Sequence, residues 1–205
     1  MIYEQWKWLQ TLKADKAKAE LALLKTQINP HFFFNTLNNL YSLTVKNSDK
    51  APRVILKLSD MMRYTIYEGK KENVSLKDEV EYLNNYIELH KIRYHKQVDI
   101  EFTHEIDGSI QIAPLLFIIL LENAFKHGVE TLSDEAFIHM NLTSITKSIH
   151  FTIENNFDPT GQDSESGIGL DNLKQRLNLI YPKSHTLTIE KSKKTYKVDL
   201  KIELK

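Results

Sequence analysis

The 205-residue chain contains no cysteine, which excludes disulfides and thiolate metal sites and fits a reducing compartment. It also lacks net charge: 27 lysines and arginines offset 27 aspartates and glutamates, so no global positive field draws it to nucleic acid. No basic patch interleaved with aromatics is present either, and a nucleic-acid partner is not expected. The most apolar run, Ile112 to Leu121, is too short to span a bilayer and ends at Glu122. Met1 leads into Glu4, Trp6 and Lys7 rather than an apolar signal core. Internal repeats and low-complexity tracts are missing. What remains, 41% hydrophobic and 26% charged, suits a soluble, cytoplasmic-type globular protein. A helical pattern at full stride from residue 1 looks like a continuation, compatible with a chain cut from a longer membrane protein, any membrane segment then lying before residue 1.

Of what is present, His31 is the most informative residue. It lies in Asn29-Pro30-His31-Phe32-Phe33-Phe34-Asn35, on a helix read from residue 2 to about 46 and interrupted at Pro30. Leu21, Leu24, Ile28, Phe33, Phe34, Leu37, Leu40 and Tyr41 follow helical spacing. His31, Asn35, Asn38 and Ser42 share a separate polar face, so the imidazole points away from the apolar stripe. A second helix begins near Pro52, with Val54, Ile55, Leu58, Met61, Met62 and Ile66 as one stripe. The two helices make an antiparallel hairpin that cannot bury both sides alone, and pairing with a second copy into a four-helix bundle is the natural expectation. Ser75 with Asp78 reads as a capping box for a third helix through Ile92. Alternation at Val98, Ile100 and Phe102 then starts an α+β region. It continues with a helix over Ile112 to His127, strands at Phe137–Leu142 and Ile149–Ile153, a helix at Leu170–Ile180, and strands at Leu187–Ile189 and Tyr196–Ile202.

Two further motifs carry chemistry. In Leu120-Leu121-Glu122-Asn123-Ala124-Phe125-Lys126-His127-Gly128, a carboxylate and a carboxamide fall on the apolar faces of a helix. Buried there, they need partners, and a divalent cation with phosphate oxygens would serve both. Lys126 and His127, one turn on, would face the same phosphates. Equally, Glu122 and Lys126 could form a plain helix pair while Asn123 caps a neighbouring element. Gly167-Ile168-Gly169-Leu170-Asp171-Asn172 follows a polar loop and opens a helix, an arrangement that lets backbone amides approach an anion. It is neither a dinucleotide fingerprint nor a P-loop.

In this order, the three motifs resemble a sensor histidine kinase. More closely, the chain resembles the LytS/YehU-type branch: Pro30 to Asn35 matches its H-box, Pro114 to Gly128 its N-box, and Gly167 to Leu177 its G-box with trailing Arg176-Leu177. Arg63-Tyr64 and Tyr86 to Tyr94 are also family-like. The resemblance implies an α+β fold, with a dimerising helical hairpin over residues 1–72 and a GHKL (Bergerat)-type ATP-binding α/β sandwich over residues 73–205. It implies ATP and Mg²⁺ as cofactors. His31 would accept the γ-phosphoryl group and pass it to the receiver domain of a response regulator. Asn123 would ligate Mg²⁺ beside Glu122 as polarising carboxylate, with Lys126 and His127 as phosphate neighbours. Gly167, Gly169, Leu170 and Asn172 would belong to the loop that closes over the phosphates.

Two departures stand out. Where GHKL domains have Asp-x-Gly after a strand, this chain has Glu154-Asn155-Asn156-Phe157; Asn155 is the candidate adenine contact and would bind less strongly than a carboxylate. Phe32 follows His31 where commoner kinases place an acid, so no adjacent base is visible. Competing readings are a scaffold whose ATP site has decayed, and a GHKL ATPase or serine kinase that ignores His31. The Phe32–Phe34 triplet is expected to be core and dimer interface, Tyr64 and Tyr67 packing residues, Arg63 a favourable helix C-terminal charge, and at least one of Trp6 and Trp8 exposed.

Overall fold

A computed structural model describes residues 6–8, 30–94, 97–107, 109–160 and 168–204. The helix expected before Pro30 therefore lies outside the described residues, apart from a helical turn at 6–8 in which Trp6 and Trp8 are both exposed. Helix α1 (Pro30–Val45) ends at Asn47, whose φ of 49° is left-handed. Asn47 N–H donates to Thr44 O and Ser48 N–H to Leu43 O, the paired bonds that close a helix end and turn the chain sharply. Helix α2 (Ala51–Arg63) starts with proline in its first turn, where no backbone donor is needed, and runs into a π-helical turn, Tyr64–Glu68. Gly69 ends it, packed so closely that a Cβ would sit 2.5 Å from the Thr65 carbonyl oxygen.

The stripe expected on α2 divides in two. Val54, Leu58 and Met61 are buried, whereas Ile55, Met62 and Ile66 lie one position round the helix and stay exposed. Phe34, Leu37, Tyr41 and Val45 are likewise exposed on α1, and Tyr67, expected to pack, is exposed as well. Of the phenylalanine triplet, only Phe32 is fully buried.

Helix α3 (Leu76–Arg93) has the predicted cap: Ser75 accepts from the Asp78 N–H at 3.1 Å. Just before it, β1 (Val74–Ser75) pairs antiparallel with β3 (Gln111–Ile112), so Ile112 is a strand residue and not the start of a helix. Pro114 disfavours helical backbone in Ala113, and Leu115 is left-handed at φ 58°. Helix α4 consequently begins later than expected, at Phe117, and runs to Ala124 before a π-helical turn, Phe125–Val129. Gly128 lies inside that turn instead of past its end. A Cβ there would meet Asn155 Nδ2 at 2.6 Å and Asn156 O at 2.7 Å, so only glycine allows the two segments to touch.

The sheet comprises β2 (Val98–Glu105), β4 (Ala136–Ile145), β5 (Ser148–Asn156), β6 (His185–Lys191) and β7 (Thr195–Glu203), in the order β2-β4-β5-β7-β6. β2 runs parallel to β4, and the other pairs are antiparallel. Residues 106–135, carrying β3 and α4, form the crossover that the parallel pair requires. Alternation gives each central strand one buried face: Ile138, Met140 and Leu142 on β4, Ile149, Phe151 and Ile153 on β5, Val198, Leu200 and Ile202 on β7. Leu170, Leu173 and Leu177 of helix α5 (Ile168–Ile180) join this core. The opposite face is polar, with His139–Asp99 and His150–Asp199 pairs at 3.0 and 2.8 Å. The fold is the expected α+β class, a helical hairpin followed by an α/β sandwich. One apolar core runs continuously from Phe32, Val54 and Leu58 to the sheet.

Candidate phospho-acceptor and nucleotide site

His31 lies on the exposed side of α1. Asn35, one turn on, holds its amide nitrogen 3.1 Å from Nε2 and 3.2 Å from Nδ1, so the polar face read from the sequence is a contact. The neighbouring Phe32 is buried. Its ring stacks on Tyr86 at 4.4 Å and on His90 at 5.3 Å, both on α3. Phe125 covers the other side of the stack, 4.0 Å from His90. A column of rings thus connects the residue beside His31 to the π-helical turn that carries Lys126 and His127.

His90 is 3% exposed, and among the described residues neither ring nitrogen has a hydrogen-bond partner. Burial, reinforced by Arg93, pushes its pKa down to about 3 from an ordinary 6.5. The ring is a neutral, apolar-packed imidazole, and leaving it unsatisfied costs about 1–3 kcal/mol. The sequence carried the signal for it: Glu79, Leu83, Tyr86 and His90 repeat at three- and four-residue steps, placing two ionisable residues on an apolar stripe.

Glu79 anchors a second constellation, at the other end of α3. Its Oε1 accepts from the Tyr64 hydroxyl at 2.6 Å and from the Leu115 N–H at 2.7 Å. Burial raises the pKa of this carboxyl, while the Tyr64 hydroxyl, the Leu115 amide and the nearby Arg176 guanidinium oppose the rise. Burial and the adjacent Glu79 also raise the pKa of Tyr64, which keeps it a donor. Arg176 on α5, 2% exposed, donates through Nη1 to Leu115 O at 3.0 Å and through Nη2 to Pro114 O at 2.6 Å. Tyr181 accepts from the Ala113 N–H at 2.8 Å. Tyr64, expected only to pack, is therefore a polar partner as well. Arg63 is exposed and pairs with Asp60 within its own helix.

The residues expected to bind nucleotide lie around α4. Glu122 and Asn123 are half-buried, more open than an unbroken apolar helix suggested, because α4 is short and turns π-helical directly after them. Lys126 is exposed and His127 half-buried, its pKa lowered by burial and by Lys126. Asn155, 3% exposed on β5, lies against Gly128 and donates its amide to Asn156 O at 3.0 Å. Gly169 faces α4 from the other side: a Cβ there would lie 3.6 Å from Ile119. Leu170 is buried and Asn172 half-buried on α5. The structure thus gathers Gly128, Asn155 and Gly169 around one helix; Gly167 lies outside the described residues. The half-buried side-chain oxygens of Glu122 and Asn123 are of the kind that suits a hard cation such as Mg²⁺, and Lys126 is an exposed positive charge one turn on.

A family model described as histidine kinase matches residues 19–98. Sensor protein LytS of Streptococcus mutans is 28% identical over 176 residues, covering 80% of this chain and 30% of its own length. Sensor histidine kinase/phosphatase LytS of Staphylococcus aureus MRSA252 is 30% identical over 187 residues, covering 84% and 32%. Among solved structures, the histidine kinase domain of an Erythrobacter litoralis blue-light activated kinase aligns at 15% identity and a TM-score of 0.47, over 93% of this chain and 96% of that one. Residues 19–98 thus match the histidine kinase family, and the chain as a whole is similar to its LytS-type members. It spans about a third of the length of the curated relatives it matches. No described helix is long and apolar enough to cross a membrane.

Proposed function

We propose that this chain is the phospho-acceptor and nucleotide-binding region of a sensor histidine kinase, with residues 1–72 as the acceptor and dimerisation unit and 73–205 as the ATP-binding unit. The observation that carries the reading is the pose of His31: exposed and held by Asn35, next to a Phe32 ring that is buried and docks on α3. A lone pair on one His31 ring nitrogen forms the N–P bond as the bond from the γ-phosphorus of ATP to the bridging oxygen breaks; ADP leaves and the ring proton goes to solvent. Asn35, within 3.2 Å of both ring nitrogens, steadies the imidazole in this exposed pose. Glu122 and Asn123 hold Mg²⁺, which when bound neutralises charge on the phosphates. Lys126 and His127 contact phosphate oxygens, Asn155 the adenine amine, and Gly167, Gly169, Leu170 and Asn172 the closing loop. Transfer to an aspartate of a receiver domain completes the relay. The apolar line of Phe34, Leu37, Tyr41, Ile55, Met62 and Ile66 supports pairing with a second copy through the hairpin. A membrane link through a segment preceding residue 1 fits a cytoplasmic portion of a membrane sensor.

Incubation with γ-labelled ATP and Mg²⁺ tests the reading. Acid-labile, base-stable label is expected on the parent and not on His31→Gln, with nucleotide binding intact in both. Label surviving in His31→Gln overturns the acceptor assignment, and absence of both label and binding in the parent favours a scaffold.

A further inference from the structure

A single oxygen atom joins the hairpin to the nucleotide-binding helix. Glu79 Oε1 takes one hydrogen bond from Tyr64, on the π-helical turn that ends the hairpin, and another from the Leu115 N–H, two residues before α4 begins. Leu115 is also the place where the backbone is strained: a branched side chain at φ 58° costs on the order of 1–3 kcal/mol and persists only where its surroundings hold it. Its surroundings do hold it. Glu79 fixes the peptide N–H, while Arg176 fixes the carbonyls on both sides of the same residue. These groups come from three different elements, α3, the 113–116 segment and α5, and the last of these follows the glycine motif. Burying a carboxylate and a guanidinium costs several kcal/mol, which packing alone would not require at this place.

We propose that Glu79 and Arg176 are positioning residues that set the start of α4, and that the Tyr64 hydroxyl is the connection through which movement of the hairpin reaches the nucleotide-binding residues. The inference rests on the reading of α4 as the nucleotide helix. A shift of the hairpin end displaces Tyr64 from Oε1; the carboxylate then loses one of the donors that hold its orientation, and the strained Leu115 turn relaxes. Because α4 is only two turns long, a change at Phe117 is carried as a rigid tilt to Glu122 and Asn123.

The test uses Tyr64→Phe, which keeps the ring and deletes one hydroxyl, and Glu79→Gln, which keeps the shape and an accepting oxygen. Amide hydrogen exchange over residues 113–120 and the KM and kcat for ATP in the labelling reaction are measured on both. Tyr64→Phe is expected to exchange faster across 113–120 and to raise KM about fivefold, the worth of one hydrogen bond, with kcat little changed. Glu79→Gln, still accepting from Leu115, is expected to stay closer to the parent than Glu79→Leu. Exchange and KM both equal to the parent in Tyr64→Phe overturn the proposal. If the parent neither binds nucleotide nor labels, the functional reading fails, and the exchange measurement still decides whether Tyr64 holds the Leu115 turn.

Discussion

Two of the places where the hairpin is fastened to α3 work by different physics. Near the start of α1, Phe32 is gripped by rings: Tyr86, His90 and, beyond them, Phe125. Near the end of α2, Tyr64 is gripped by a carboxylate. Eleven residues separate His90 from Glu79, about 16 Å along α3. At the Glu79 end a carboxylate oxygen is held by two specific donors, so the contact is directional and breaks when geometry changes. At the His90 end a polar ring is buried without partners, so the contact depends on fit and on the ring staying neutral. One attachment is sensitive to position and the other to protonation.

Removing the aromatic grip should have the largest effect. Phe32→Ala is expected to destabilise the fold by about 3–5 kcal/mol, read from the urea midpoint, because it opens a cavity against His90 and Tyr86. A loss below about 1 kcal/mol would mean that α1 is not held there. The protonation dependence sharpens the contrast. His90 takes a proton near its ordinary 6.5 once exposed, but only at about 3 while buried. Stability should therefore hold above neutral pH and decline as pH falls from 6.5 toward 3, by about 2 kcal/mol between pH 7 and pH 5. In His90→Phe this loss should vanish, with stability at neutral pH unchanged or higher, since an apolar ring replaces one with unpaired nitrogens. A pH profile as steep as the parent's would assign the dependence to other groups. Smallest of all should be the surface pair between the two attachments. Arg53 and Glu88 meet at 2.6 Å but are largely solvated, and Arg53→Ala should cost less than about 1 kcal/mol by the same urea assay.

Much of the fold was legible because its signals are local. The Ser75 cap, the proline opening α2 and the alternation on β2 depend on neighbours a few residues away, and each is found as read. The α4 boundary was not legible. The apolar run from Ile112 gives no hint that its first residue pairs with Val74, or that Leu115 is held left-handed by groups 36 and 61 residues distant in sequence. At the candidate site, the polar face of His31 and Asn35 could be read from spacing. The contact of Gly128 with Asn155 could not, because it joins a helical turn to a strand through an absent side chain. The Phe32–Phe34 triplet is read as core and dimer interface, and Phe32 is indeed buried. Its docking on α3 depends on rings contributed by three elements, which no single periodic pattern contains.

The parallel pairing of β2 with β4 has a kinetic consequence. The thirty residues between them, 106–135, must be closed into a loop before β2 can find its place, and that loop contains α4 with Glu122, Asn123, Lys126 and His127. Loop-closure entropy is met before the pairing returns any stability, so non-local contacts of this kind form slowly. The antiparallel strands β4, β5, β6 and β7 can assemble without it. Closing the sheet edge and assembling the candidate nucleotide-binding residues are therefore a single late folding event. A chain stalled before it would expose β4 as an open edge, competent for association with other chains and without its candidate nucleotide site.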